Sequence, residues 1–321
     1  MSDFQILIES ILQLLITGVL VGALYGMMCV GLAMIFGIMR VINFAQGDFM
    51  MLGMYATYFA FGAFGIQAFF GAELGAYVAV MAAAPAMFLF GWIIHRLMIR
   101  RVTGTRTAGM EADGHYAQLI LTLGIALILQ NGAMILFGAD LVSVRTPLSS
   151  DAWVMELFGE TSPILLFFNK SRVLTALFSA AAIIVLWILI QRTFLGKSLR
   201  AAADNAEAAT YMGINVDKSH RIAFAIGTAV TAMAGGLLAT SYPFSPFVGL
   251  EYVIIMYAGV VLGGIGSVIG AFWGGMLIGL IQQFSTLVLP TQLQNATIFV
   301  CFLLVVMLRP QGLFGRNVER T

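Results

Sequence analysis

The chain is poor in charge. Only 10% of its 321 residues are Asp, Glu, Lys or Arg, where a soluble domain carries about 25%. From Tyr252 to Leu308 there is no charged residue at all. Cysteine is scarce too. Cys29 and Cys301 both lie in apolar runs, which excludes a disulfide framework and a thiolate metal site. Both read as small buried hydrophobes. The three histidines, His95, His115 and His220, fall in separate segments. The clustered His, Asp, Glu or Cys side chains of a membrane-embedded enzyme are therefore missing. A formal net charge of +1 offers no basic field to a nucleic acid.

What the chain has in abundance is apolar surface. Hydrophobic residues make up 60% of it and the mean hydropathy is +0.97. This is the composition of an all-α polytopic membrane protein. A crossing takes ~20 apolar residues. Runs of that kind cover 11–39, 49–70, 74–95, 117–138, 173–191, 222–241, 252–288 and 292–308. The run 252–288 is too long for one crossing. It reads as two shorter helices meeting at Gly263-Gly264-Ile265-Gly266-Ser267, a glycine-rich stretch that disfavours continuous helix. The expectation is eight to nine crossings with broken or half helices.

Charge asymmetry sets the expected orientation. One side collects Arg40, Arg96, Arg100, Arg101, Arg106, Arg192, Lys197, Arg200, Lys218, Arg221, Arg309, Arg316 and Arg320, the other only Arg145, Lys170 and Arg172. The basic side faces the cytoplasm, which puts the C-terminus inside and the N-terminus outside. No basic n-region precedes the first apolar run, so that span is expected to be retained. Residues 1–321 read as one transmembrane domain, with a cytoplasmic loop at 192–221 and an external loop at 139–172. The external loop, with Pro147, Ser149, Ser150, Asp151 and Trp153, suits an outside partner.

Glycine carries the next signal. Gly259, Gly263, Ser267, Ala271, Gly275 and Gly279 are spaced four apart, a row that lets helix backbones approach closely in lipid. A broken helix at membrane depth is tolerated only where protein or a watery path surrounds it. A second interruption lies at Arg40–Asp48. Interrupted segments at matching points of two halves indicate an inverted repeat around a midplane site. The alternative is an ordinary turn at 40–48 and a packing kink at 263–267.

The candidate path residues follow from these breaks. Asn43, Gln46 and Asp48 either offer hydrogen bonds to a polar solute or cap a helix. Gln130 and Asn131 either line the path or bond between helices. Tyr25 and Tyr257 precede the two breaks, and either line a channel or pack the core. Gly263, Gly264 and Gly266 shape the backbone. Asp48, Glu73, His95 and Glu251 are expected at or near span ends, so the intramembrane proton relay of a coupled secondary transporter is missing.

The loop 192–221 holds no nucleotide site. Gly196-Lys197-Ser198 resembles the end of a phosphate loop, but Gln191 stands where the first glycine belongs and no strand precedes it. Leu199–Met212 is Ala-rich and reads as one short helix stopped by Gly213. Asp204 and Glu207 disfavour a helix lying flat on the bilayer. Docking in a partner's groove fits better.

Here a resemblance becomes specific. Glu207-Ala208-Ala209-x-x-x-Gly213 resembles the loop by which ABC importer permeases engage their ATPase, with Arg200 and Asp204 in the same segment. Arg192 through Ala201, Ile42-Asn43-Phe44-Ala45-Gln46-Gly47-Asp48-Phe49, Leu262-Gly263-Gly264-Ile265-Gly266-Ser267 and the ending Arg309-Pro310-Gln311-Gly312-Leu313-Phe314-Gly315 resemble segments of branched-chain amino acid permeases of the LivH type. The resemblance runs from about residue 11 to 316. It implies the permease subunit of an ATP-binding cassette importer in a bacterial inner membrane, moving a small polar solute, foremost a branched-chain amino acid. Urea, short amides and aromatic acids belong to relatives of the same type, and a stand-alone transporter or facilitator is the competing class. The resemblance also implies a second, homologous permease subunit, two cytoplasmic ATP-binding subunits and a periplasmic solute-binding protein, besides membrane lipid. ATP is then used by the partner subunits, and this chain binds no cofactor. One departure concerns Gln46-Gly47-Asp48, where the family commonly has His-Gly-Glu. Gln cannot titrate, and Asp is one methylene shorter.

Overall fold

The computed structural model of the chain describes residues 3–103, 111–157, 164–264, 266–290, 293–309 and 311–314. Arg106, Ile265, Pro310, Gly315, Arg316, Arg320, the His115 side chain and residues 158–163 of the external loop lie outside them. Helix α1 (Asp3–Met39) is followed by α2 (Gln46–Gly62) and α3 (Ile66–Ile94). A π-helical turn, His95–Ile99, then leads into α4 (Arg100–Thr103). Helix α5 (Glu111–Phe137) precedes a short α6 (Pro147–Ser150) and a hairpin of β1 (Ala152–Leu157) and β2 (Ile164–Asn169). Next come α7 (Lys170–Arg192), α8 (Phe194–Asp204), α9 (Ala206–Tyr211) and α10 (Val216–Ala239). Helices α11 (Val248–Gly263), α12 (Val268–Ser285) and α13 (Gln294–Leu308) complete the fold.

The chain is an all-α polytopic membrane protein with one small β-hairpin among its described residues. Among the described residues, six helices are long and apolar enough to cross a bilayer: those within Gln5–Met39, Ile66–Val102, Tyr116–Phe137, Lys170–Arg192, Val216–Ala239 and Val268–Ser285. Helices α2, α11 and α13 have 17, 16 and 15 residues, short of the ~20 that a full span takes.

Two sequence expectations shift here. The apolar run 49–70 is not one helix. Helix α2 stops at Gly62, Gly65 turns the chain at a φ of 71°, and α3 begins at Ile66. The turn residues Ala63 and Phe64 are themselves apolar, so hydropathy runs straight through the bend. Within the loop 139–172, β1 and β2 pair antiparallel from Ala152–Asn169 to Leu157–Ile164. The Gln13 side chain exchanges two hydrogen bonds with the Phe167 backbone, at 2.8 and 2.9 Å, and ties β2 to α1.

The core is built on backbone proximity. Helix α1 packs along α12: a Cβ at Gly279 would overlap the Gly22 backbone, and one at Gly275 would overlap that of Gly26. Helix α1 crosses α10 at a reciprocal pair, Gly31 against Gly227. Apolar side chains of the same helices, Met27, Met28, Leu32 and Ile35, are fully buried around that crossing. The glycine row of 259–279 therefore serves helix packing, as its spacing suggests.

Overfilling a close-packed core costs about 1–3 kcal/mol, and more where the obstacle is backbone. Gly279→Val is therefore expected to lower the apparent Tm of the purified protein by several degrees. Gly124→Val, on α5 where no atom lies within 4 Å of an added Cβ, is expected to leave it nearly unchanged. Fluorescence-detected thermal unfolding of both variants checks this.

Candidate functional site

The first break folds back into the bundle. Helix α1 ends at Met39, and Arg40 takes a left-handed φ of 54°, rare for a residue with a side chain. The chain then returns so that α2 begins beside the middle of α10. There the Gln46 amide donates to the Thr231 hydroxyl at 2.5 Å and to the Gly227 carbonyl at 3.3 Å. Gln46 accepts from the Asn43 amide at 2.9 Å, and Asn43 Oδ1 accepts from the Ala45 N–H at 3.2 Å. Asn43, Gln46 and Thr231 are all fully buried. From the other side, Thr122 of α5 donates to the Ile42 carbonyl at 3.3 Å and accepts from the Phe44 N–H at 3.4 Å. Asn43 thus organises the turn and belongs to a buried polar network.

Asp48 lies in the first turn of α2 and is 6% exposed. It lies at a helix end, as expected, and that end is buried because α2 starts inside the bundle. Its carboxylate faces Gly249 in the first turn of α11: a Cβ there would come 2.9 Å from Asp48 Oδ1. The N-termini of α2 and α11 abut through Gly47 and Gly249. Two helix N-termini thus present partial positive charge around one carboxylate. Tyr257 of α11 closes the cluster. Its ring lies 5.6 Å from that of Phe44, and its hydroxyl approaches the Asn43 main chain without closing a well-directed hydrogen bond.

Other sequence candidates lie elsewhere. Tyr25 packs edge-on against Tyr252, with centroids 6.1 Å apart, away from the first break. Asn131 is exposed on α5 and donates to the Leu127 carbonyl one turn back at 2.7 Å. Gln130 is its half-buried neighbour. The α5 residue that meets the central cluster is Thr122, which sequence reasoning missed. Thr231 was missed as well, although Gly227, Thr231 and Gly235 repeat the four-residue small spacing.

The second break lies near the end of α1. Helix α11 stops at Gly263, Gly264 and Gly266 hold φ values of 102° and 89°, and Ser267 caps α12 by accepting from the Gly270 N–H at 3.0 Å. The C-terminal segment docks onto it: the Leu313 N–H donates to the Leu262 carbonyl at 2.8 Å and the Phe314 N–H to the Gly263 carbonyl at 3.2 Å. Carbonyls that a helix end leaves unpaired are satisfied from 51 residues downstream. Beside this joint opens a cavity of about 940 Å³ lined by Gly37, Arg40, Trp187, Gln191, Arg200, Asp204, Ser267 and Phe314, among others.

The loop 192–221 folds as two helices, not one. Asn205 adopts an extended φ/ψ of −149°/103°, ends α8 and caps α9 by accepting from the Ala208 N–H at 2.9 Å. An asparagine is a better cap than a helix interior residue, which the alanine content around it masks. Leu199 buries α8 in a cluster with Val30, Met34, Leu186 and Ile190, and Ala202 is buried on the same helix. Arg200 donates to Gln191 at 3.0 Å. Helix α9 points outward with Glu207 and Ala208 exposed and Ala209 buried, and Tyr211 and Met212 are each 81% exposed. Gly213, at a φ of 80°, ends it.

A family model described as the permease component of a branched-chain amino acid transport system matches residues 14–308. The chain is 29% identical to the high-affinity branched-chain amino acid transport system permease protein LivH of Escherichia coli, over 96% of this chain and 97% of that one. It is 30% identical to the corresponding permease protein BraD of Pseudomonas aeruginosa, with the same coverage. A probable LivH of Methanocaldococcus jannaschii is 25% identical over 81% of this chain and 76% of its own length. No solved structure matches.

Removing one partner of a buried hydrogen bond costs about 1–3 kcal/mol. Gln46→Leu and Thr231→Val are each expected to destabilise the protein by that order. Their double variant should cost clearly less than the sum, because the second change removes a partner already orphaned. Denaturation of the three variants in one detergent checks the coupling.

Proposed function

The chain belongs to the branched-chain amino acid transport permease family, and on that premise we propose that it is the membrane permease subunit of an ATP-driven importer for branched-chain amino acids. The observation that carries this is α9. It is an exposed element with two large apolar side chains and Glu207, clamped through α8 onto α1, in a chain that matches the family from residue 14 to 308. Gln191 stands where the first glycine of a phosphate loop belongs, and partner ATP-binding subunits supply the energy. A homologous permease subunit and an external solute-binding protein complete the assembly. The hairpin β1–β2, with Trp153 51% exposed, is the surface offered to the binding protein.

Charge places the basic end, with α4, α8, α9 and the C-terminal segment, on the cytoplasmic side of the inner membrane. The N-terminus is then periplasmic. The short helices α2, α11 and α13, added to the six long ones, bring the number of crossings to eight or nine when α11 and α12 are counted together or apart. An inverted repeat accounts for the packing partners: α1 lies on α12 as α10 lies on α3, and α2 lies on α10 as α11 lies on α1. In this arrangement the break at 40–45 corresponds to 240–247, and the Gly263–Ser267 joint is separate.

The solute path runs past the cluster where α2 and α11 begin. Helix N-termini favour the carboxylate of an amino acid, Asp48 its ammonium group, and Phe44 and Tyr257 its apolar side chain. Asn43 and Gln46 hold the turn that places these groups. Gly263, Gly264 and Gly266 shape the cavity on the basic side, through which the solute leaves. Motion reaches the path through α8, which shares its buried face with α1 and α7.

Two experiments test the assignment. In the reconstituted complex, Glu207→Arg and Gly213→Trp are expected to abolish ATPase co-purification and leucine uptake while the permease still inserts. Uptake at the wild-type rate by both variants rules out α9 as the coupling element. Asp48→Asn is expected to raise the KM for leucine about tenfold or more, the scale of one charge-assisted hydrogen bond of roughly 1.5–3 kcal/mol. An unchanged KM in radiolabelled uptake removes Asp48 from the path.

A further inference from the structure

The basic end of α3 carries a cluster that the transport reading does not use. After Ile94 the helix widens into the π turn His95–Ile99, a feature that concentrates at functional sites. The Trp92 ring lies under two guanidinium groups from two helices: Arg96 at 5.3 Å and Arg221 of α10 at 5.2 Å from its centroid. Cation–π attraction holds each arginine, yet the two like charges repel. Among the described residues no carboxylate pairs with either. The one ion pair at this end joins Arg100 to Asp217 at 3.0 Å, with both side chains about half exposed. Arg101 and Lys218, both exposed, add further positive charge.

The polar atoms facing inward are unsatisfied. The Arg221 Nε is buried without a hydrogen-bond partner, and so are both ring nitrogens of His95, a residue only 1% exposed. His95 sits within electrostatic reach of His220, Arg221, Asp217 and Arg100, and its ring packs 5.8 Å from Phe224. A ligand that suits this place is anionic and rich in acceptor oxygens. Beside it, Leu89, Ile93 and Leu97 are exposed at four-residue spacing, 55%, 39% and 52%. That apolar stripe runs from the cluster toward the bilayer core. A cationic cluster at the end of an apolar stripe matches an amphipathic ligand, and tryptophan is a residue that favours the membrane interface.

We propose that Trp92, Arg96 and Arg221, with His95 behind them, form a phosphate-group site that holds the phosphodiester of an anionic phospholipid in the leaflet at the basic end. The acyl chains lie along Leu89, Ile93 and Leu97. Arginine forks suit phosphate oxygens, and basic pockets between transmembrane helices take anionic headgroups. A bound headgroup screens the repulsion between Arg96 and Arg221 and so fastens α3 to α10. The shared chemistry is phosphate recognition; the stripe selects lipid over free phosphate.

The test uses the full-length chain assembled with its partner subunits in nanodiscs, with Trp153, Trp187 and Trp273 changed to Phe, and takes as the Trp92 signal the difference from the same assembly that also carries Trp92→Phe. Brominated phosphatidylglycerol and brominated phosphatidylcholine are compared at equal, low mole fraction. Trp92 is expected to be quenched preferentially by phosphatidylglycerol, with a preference of roughly fivefold for each contributing arginine. Arg221→Gln and Arg96→Gln are expected each to reduce it, and Arg101→Gln to leave most of it. If Arg221→Gln fails to assemble, the exposed Arg96→Gln reads the same loss. Equal quenching by the two lipids overturns the site. So does a preference that survives both Gln variants, which is the signature of a diffuse basic surface. Relief of quenching by added inorganic phosphate assigns the cluster to free phosphate and overturns the lipid. Loss of ATPase association in the Gln variants without any lipid preference makes it a protein contact instead.

Discussion

The approach of α1 to α12 and α10 at the distance of bare backbone is the contact on which the rest of this structure depends. Lipid tails are as apolar as leucine, so burying more hydrophobic surface gains nothing between helices. Contact must come from close packing, and close packing needs side chains out of the way. Gly22, Gly26, Gly275 and Gly279 provide this along α1 and α12, and Gly31 with Gly227 at the crossing of α10. Fixing that crossing brings Thr231 and the Gly227 carbonyl to the spot where Gln46 can use them. A half helix that starts inside the bundle then has somewhere to anchor its first turn.

Each interruption of helix creates unpaired backbone groups, and in a membrane they must be met by protein. The first break uses Asn43, Gln46 and Thr122. The second uses Ser267 and the C-terminal segment, whose Leu313 and Phe314 amides satisfy the carbonyls of Leu262 and Gly263. The two glycine-bearing motifs near 263 and 312 therefore form one joint. The joint, the end of α1 and α8 border a single cavity. Helix α8, which carries the proposed coupling helix α9, and the proposed exit of the solute are thus adjacent.

Much of the architecture is visible in one dimension. Composition and run length reveal a polytopic helical protein, because desolvation in lipid filters residue type directly. The four-residue glycine spacing reveals close packing, because helical periodicity puts those residues on one face. The Gly263–Ser267 break is visible because Gly264 and Gly266 need backbone angles that other residues avoid. Glu207-Ala208-Ala209 with Gly213 marks the exposed helix. Less visible are the turn at 63–65, apolar like its neighbours, and the division of α8 from α9 at Asn205, where one capping side chain outweighs a run of strong helix formers.

What the sequence determined by itself is the kind of protein, the helix breaks near 40–45 and 263–267 and the small-residue rows on which its helices pack, since each rests on local chemistry: transfer free energy, backbone freedom, helix propensity. What only the tertiary structure decided is which groups meet. Gln46 finds Thr231 across 185 residues, Phe314 reaches back to Gly263, Asp48 turns out to lie inside the bundle, and Asn131, polar and within a span, turns out to be exposed. Hydropathy measures the medium that a segment prefers and is blind to direction around the helix and to partners far along the chain. Those are set only when glycine lets the backbones touch.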